Sequence, residues 1–310
     1  MKDNLKALSF RERIKYQCSM ARKNYDCYLF LAPFGLLFIA FTVMPVLISI
    51  FFGFTDFNLL ETPGFVGLAN YQKLFVNDEI FTQAFRNTMI VAVIVGPVGY
   101  FASLMIAWQI NELNNALRAI MITIMYAPSI SGGAIVIWQY IFSNDSYGYI
   151  NSILINYGFI QEPIQFLSET TYMLAIVIVV MIWQSLGAGF LSFAAGLKTV
   201  DKSFYEAGYI DGISSRWQEL WFITLPTMKP QLMFGAVMSI TGAFSAGVVS
   251  TQMFGNPSTD YAAHTIMNHL EDYGGVRFEL GYACAIATVL FALMIIINEV
   301  VQRLLNKVGS

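Results

Sequence analysis

The sequence predicts an all-α polytopic membrane protein with six transmembrane helices and both termini on the cytoplasmic side. Three observations carry that prediction. First, of 310 residues 56% are hydrophobic and only 12% charged, where an ordinary soluble domain is roughly one-quarter charged. Second, the 17 basic and 20 acidic residues leave six charge-free stretches of at least 19 residues, each able to hold the roughly 20 apolar residues of a membrane-crossing helix. Third, the loops between those stretches alternate between basic and base-poor. In hydrocarbon the backbone must satisfy its own hydrogen bonds, so segments this long and apolar are helices rather than barrel strands.

The stretches run from Cys27 to Thr55, Asn87 to Asn111, Ala119 to Asn144, Thr170 to Leu197, Pro230 to Thr259 and Leu280 to Asn298. Within them the spans are expected at about 29–53, 88–110, 119–142, 172–195, 231–254 and 279–302. The whole divides into a basic tail, 1–28, and a single membrane domain, 29–305. The first stretch is too long for the apolar region of a signal peptide, and no small-residue cleavage site is evident after it. With an inner N-terminus, 14 Lys and Arg lie inside and three, Lys73, Arg86 and Arg277, lie outside, as the positive-inside rule requires. Lys2, Lys6, Arg11, Arg13, Lys15, Arg22 and Lys23 are then a topology anchor beside anionic lipid rather than a nucleic-acid surface.

Between the first two spans, Pro63, Gly64 and Gly67 precede a short amphipathic run around Tyr71 to Phe85. The second outer loop, 143–169, holds an uncharged stretch too short and polar to span, which suits the membrane interface. The inner turn Asn111 to Arg118 is tight. By contrast, the inner segment 198–230 is long and polar, and two helix starts are written in it. Ser203 with Glu206 and Ser215 with Gln218 have capping-box spacing, and Gly212 between them can take the left-handed conformation that stops a helix. Phe204, Ala207 and Ile210 form a stripe beside small Gly208. On spacing alone this is equally a packed inner hairpin.

Tyr205-Glu206-Ala207, Ile210-Asp211-Gly212 and Ile223-Thr224-Leu225-Pro226 resemble the EAA motif of ATP-binding-cassette (ABC) importer permeases: Glu-Ala-Ala, three residues, Gly, nine residues, Ile-x-Leu-Pro. Phe65 to Tyr71 with Asn87-Thr88, Gly148 to Asn151, and Gly255-Asn256-Pro257 resemble the carbohydrate branch, near the maltose-type large permeases. The third motif position is Gly208 instead of Ala, and ten residues separate Gly212 from Ile223.

The resemblance implies the type I importer (MetI-like) fold and half of a heterodimeric pore with a second permease subunit. It further implies an extracytoplasmic solute-binding protein, which does most of the selecting, and two copies of a cytoplasmic ATPase that carry the ATP and Mg²⁺. This chain would hold no cofactor and hydrolyse nothing, in keeping with its lack of a Gly-rich loop ending in Lys-Ser or Lys-Thr. By carry-over, Tyr205, Glu206, Ala207, Gly208, Asp211, Gly212, Leu225 and Pro226 are the ATPase-coupling residues.

No Lys, Arg, Asp or Glu lies centrally in a span; Glu299 sits at the inner end of the sixth. An ion or proton relay leaves such a residue inside, so the bare spans favour a neutral, hydroxyl-rich cargo, for which aromatic faces, amides and hydroxyls are fitting partners. Trp138, Trp183, Gln184, Ser185, Thr241, Gly242, Phe244 and Ser245 are the path candidates. The rival role for the small and polar ones is close helix–helix crossing, and Trp138 also suits an interfacial belt. A carbohydrate, an oligosaccharide in particular, is the expected substrate. The alternatives are a polyol-type or glycerol-phosphate-type solute, or a secondary carrier, which predicts internal repeats and an intramembrane charge or broken helix. A membrane-embedded enzyme would need a nucleophile–base or metal set, and none is visible.

His264 and His269 do not have zinc-ligand spacing, and a surface role against a partner is expected for them. The outer loops carry 11 acidic residues against three basic, a charge that could meet a basic edge of the binding protein. Cys18, Cys27 and Cys284 form no CxxC pattern and read as reduced, structural thiols.

Overall fold

The computed structural model describes residues 24–305. Of the expectations above, those for Lys2, Lys6, Arg11, Arg13, Lys15, Arg22, Lys23, Cys18 and Lys307 fall outside the described residues. The chain divides into two units, one ending at Phe52 and one beginning at Gly53. Among the described residues there is no β-strand; one isolated bridge pairs Thr55 with Phe65.

The first unit is a single apolar helix, Tyr25–Phe38 continued by Met44–Phe52 through a π-helical turn at Ile39–Val43. Pro45 has no N–H to give to the preceding turn, and the wider turn lies just before it.

In the second unit the continuous helices Glu79–Asn111 and Leu280–Leu305 are the second and sixth spans. The fourth and fifth also pass as spans by length and apolarity, over Thr170–Thr199 and Lys229–Phe254, but each carries a break. The fourth breaks between Gln184 and Ala188, the fifth at Ser245. The second span begins at Glu79 rather than near 88, because the Asp78 carboxylate accepts the Phe81 N–H (2.8 Å) and caps the helix there.

The third span departs most from expectation. Instead of one helix over 119–142 there are two, Asn115–Ile130 and Ile135–Ile141, bent by 85°. Pro128 contributes no N–H, and the following Ser-Ile-Ser-Gly-Gly run, 129–133, has poor helix propensity throughout. In the fourth and fifth spans the hydroxyls at the breaks turn back on the helix. Ser185 Oγ donates to the Ile182 carbonyl (2.6 Å) and Ser245 Oγ to that of Thr241 (3.1 Å), a competition that weakens the helical ladder. Small residues read from sequence as helix-crossing contacts are therefore also break points.

The second span threads the core. Its Phe81 packs with Leu74, Ile266, Tyr282 and Ile286 at the N-terminal end, and Val91 and Val95 pack with Met173, Val177 and Ala246. Tyr100 and Leu104 pack with Phe190, Phe193 and Leu232 toward the C-terminal end. Between the third and fourth spans a helix, Tyr149–Asn156, is organised by buried Asn151. Its amide donates to the Ser143 and Ile164 carbonyls (3.0 and 2.9 Å) and accepts the Ile164 N–H (3.0 Å).

Candidate functional site

The breaks in the third, fourth and fifth spans meet around one cavity of about 440 Å³. Ser129, Ser131 and Gly132 line it from the third span, Gln184, Ser185 and Gly187 from the fourth, and Gly242, Ser245 and Gln252 from the fifth. No Asp, Glu, Lys, Arg or His is in its lining. A broken helix leaves backbone carbonyls and N–H groups without intrahelical partners. The three breaks bring serine, glycine and glutamine residues to one lining inside otherwise apolar spans.

The expected path residues divide. Gln184, Ser185, Gly242 and Ser245 line the cavity. Phe244 does not: it is buried in the packing of Ile240, Tyr282 and Ile286, because the break follows directly and turns the chain. Thr241 is also outside the lining, its hydroxyl donating to the Val237 carbonyl (2.9 Å). Trp138 and Trp183 meet edge to face at 5.5 Å, with Phe142 stacked on Trp138 at 5.8 Å. Neither tryptophan is in the lining of the cavity. Ser129, Ser131, Gly132 and Gln252 were missed; the Pro-then-Ser/Gly run after Tyr126 is the signal that pointed to the first three.

The segment 198–230 forms helix, glycine break, helix. The first helix is Lys202–Ile210, and Gly212 has φ of 89°. Its cap is Asp201, whose carboxylate accepts the Ser203 N–H (3.0 Å), so the expected Ser203–Glu206 capping box is not formed. The helix starts one residue before Ser203 and places Glu206 on its exposed surface. The second box is present: Gln218 Oε1 accepts the Ser215 N–H at 3.2 Å. Arg216–Glu219 then leads through a π-helical turn, Leu220–Thr224, to Leu225 and Pro226.

Tyr205 ties the two halves together, its hydroxyl 2.9 Å from Thr224 Oγ1. Buried Gly208 faces Ile223, and a Cβ on Gly208 would stand 2.6 Å from Ile223 Cδ1. Glycine at the third motif position is thus what lets Ile223 pack. A hydrogen bond to Glu219, then that carboxylate's charge, raises the Tyr209 hydroxyl above its ordinary pKa. Glu206, Ala207 and Asp211 are exposed, while Leu225 is buried.

Residues 97–308 match the model of the family described as binding-protein-dependent transport system inner membrane component. The chain belongs to that family. Among curated relatives of this ABC permease, the probable ABC transporter permease protein YesP of Bacillus subtilis is 32% identical, covering 96% of this chain and 95% of that one. The lactose transport system permease protein LacF of Rhizobium radiobacter is 30% identical over 72% and 75%. A solved bacterial alginate ABC transporter, in complex with alginate pentasaccharide-bound periplasmic protein, has the same fold. It matches with TM-score 0.72, 23% identity and coverage of 94% and 99%.

The permease's two histidines are not on the surface. Both are 1% exposed, with ring centroids 5.6 Å apart. Thr265 caps the helix Ile266–Glu271, so His264 precedes that helix and helical spacing does not separate the pair. His269 Nε2 lies 3.0 Å from Asp78 Oδ2, and Tyr282 donates to the same oxygen (2.7 Å). Lys73 bonds Glu279 (2.9 Å) with its ammonium 4.2 Å above the Tyr282 ring. Burial, then the neighbouring His269, pushes His264 down to about 4. Burial raises the Asp78 carboxyl, but the bonds from Tyr282 and Phe81 and the His269 charge hold it below the ordinary value. Among the described residues no group of three or more His, Cys, Asp or Glu could hold a metal.

Proposed function

We propose that this permease is one subunit of a binding-protein-dependent ABC importer for a carbohydrate, an oligosaccharide in particular. It forms half of a heterodimeric pore with a second permease, and both its termini face the cytoplasm. The observation that carries the reading is the cavity at the three helix breaks, which offers amide, hydroxyl and main-chain groups and no ionisable side chain. Sugar hydroxyls need many weak partners and no counter-ion, and a site of this composition supplies them. The likeness to the lactose permease supports the same cargo class.

Coupling is assigned to the segment 198–230. Its exposed tip, with Glu206, Ala207, Asp211 and Ile210, is the surface offered to a partner ATPase that binds ATP and Mg²⁺. Tyr205, Gly208, Leu225 and Pro226 fasten that tip to the fifth span, and Gly212 ends its helix. A solute-binding protein delivers cargo to the outer loops.

A secondary carrier shares one feature with this chain, the broken helices, but lacks a reason for a cavity free of charge. The test is uptake into proteoliposomes, using labelled lactose as the first probe and a labelled uronate oligosaccharide as the charged comparison. Uptake should need the second permease, the ATPase, the binding protein and internal ATP. Uptake by this chain alone, driven by an ion gradient, would overturn the proposal.

A further inference from the structure

We propose that Trp108 and Glu112, at the inner end of the second span, receive the movement of the coupling segment and pass it along that span to the cavity wall. The inference rests on the assignment of 198–230 as the ATPase-coupling segment. It adds a route that the EAA resemblance does not contain, since the motif leads covalently into the fifth span.

Two side-chain contacts make the joint. Arg216 Nη1 is 3.1 Å from Glu112 Oε1, with Glu219 Oε2 3.8 Å away on the same guanidinium. Beside it the Trp217 and Trp108 rings meet with centroids 5.1 Å apart. The guanidinium and carboxylate side chains are 64% and 43% exposed, and such a pair adds little to folding stability. Its significance is geometric: adjacent residues of the segment's second helix engage adjacent turns of the second span.

Space exists for the segment to move about this joint. Between the segment and the inner ends of the second and fourth spans lies a polar cavity of about 470 Å³, with Trp108, Glu112, Arg118, Tyr205, Tyr209 and Arg216 in its lining. The segment is therefore held at its edges rather than packed solid. Its covalent route is the softer one, since it runs through the π-helical turn Leu220–Thr224 and then Pro226 and Pro230, and Met228, between Leu225–Thr227 and Lys229–Phe244, is not helical.

The second span is suited to carry the displacement. Its helix is continuous over Glu79–Asn111, whereas the fourth and fifth spans are broken at the cavity. Its inner end is held from fraying by Arg118, which donates to the carbonyls of Asn111 and of Leu113. From Trp108 the helix reaches Gly99 in about 14 Å, and there it bears on the cavity wall. Ser103 Oγ donates to the Ser185 carbonyl (3.2 Å), and a Cβ on Gly99 would stand 2.7 Å from that of Ser185. Ser185 lines the cavity at the break in the fourth span. A rigid helix in contact at both ends transmits a shift without needing a chain of side-chain rearrangements.

The test uses the assembled importer in lipid nanodiscs, with Cys18, Cys27 and Cys284 replaced by serine and Ser131→Cys as a cavity reporter. The rate of labelling by a small maleimide is compared in the nucleotide-free and ATP–vanadate states. The parent is expected to show a ratio of about fivefold or more. Trp108→Ala with Glu112→Ala should bring the ratio close to one while the complex still assembles and hydrolyses ATP. Trp217→Ala alone should lower it, and adding Trp108→Ala should lower it no further. A double variant that keeps the parent's ratio overturns the joint while leaving the coupling assignment standing. A parent whose ratio is already one overturns both, so the two failures are told apart. If the tryptophan variants do not assemble, Glu112→Gln with Arg216→Gln decides by the same comparison, because it removes only the exposed pair.

Discussion

Asp78 accepts the His269 Nε2 hydrogen bond at 3.0 Å on one carboxylate oxygen while the other caps the second span through the Phe81 N–H at 2.8 Å. One side chain thus joins the loop after the fifth span to the start of the second, and through Tyr282 to the sixth. Since a carboxylate only accepts, neutral His269 must carry its proton on Nε2.

Asp78→Ala should therefore be among the costly outer-side changes. It removes a helix cap and leaves His269 and the Tyr282 hydroxyl buried without their acceptor, a loss of about 2–4 kcal/mol. Thermal unfolding of the purified permease in detergent checks it. A midpoint within a degree of the parent would mean that these contacts contribute nothing.

His264 gives this end of the fold a pH dependence of predictable sign. Its folded pKa, about 4, lies below the ordinary value of 6.5, so below about 6.5 the unfolded chain binds more protons than the folded one. Stability is complete above that pH and falls as pH drops from about 6.5 toward 4. Around His264 stand His269, Asp78, Asp272 and Arg277. Among the described residues neither His264 ring nitrogen has a hydrogen-bond partner, so His264→Phe should cost little at pH 7.5. It should also flatten unfolding midpoints measured between pH 4.5 and 7.5; an unchanged slope would assign that dependence elsewhere.

Gly208→Ala restores the family's residue at the third motif position, yet here it should impair the protein. The new methyl group meets Ile223 Cδ1 at 2.6 Å; that carbon is the free end of a flexible side chain, so a rotamer shift limits the cost to about 1 kcal/mol. ATP-driven uptake by the assembled importer should fall, and Ile223→Val, which removes that Cδ1, should restore it. Failure of the second change to rescue would show that Ile223 is not the obstacle.

Gln184→Leu should slow uptake several-fold while ATPase assembly, followed by co-purification, is unchanged. The amide lines the cavity, and an apolar replacement withdraws a partner from the cargo's hydroxyls. Normal uptake would return Gln184 to a packing role.

Much of the fold was legible because membrane insertion imposes a long-wavelength pattern. Charge-free stretches and basic loops marked the spans, and Ser215 with Gln218, Gly212 and the EAA residues marked the inner segment. Errors appeared where a single local cue competed with another. Asp201 captured the cap that Ser203 seemed to own, and Asp78 began the second span early. Phe244, one residue before Ser245, was turned into the core by the break at that residue.

The sequence by itself determined that the chain is helical and membrane-embedded, and it carried the motif that names its family. Those properties follow from composition and local spacing, which hydrocarbon and helix geometry constrain directly. Tertiary structure alone decided that Ser131, Ser185 and Ser245 lie around one cavity, that two distant histidines share a buried site with Asp78, and that Arg216 reaches Glu112. Such contacts depend on how helices cross and where they break. Packing between segments far apart in the chain sets both, and no periodicity within one segment records it.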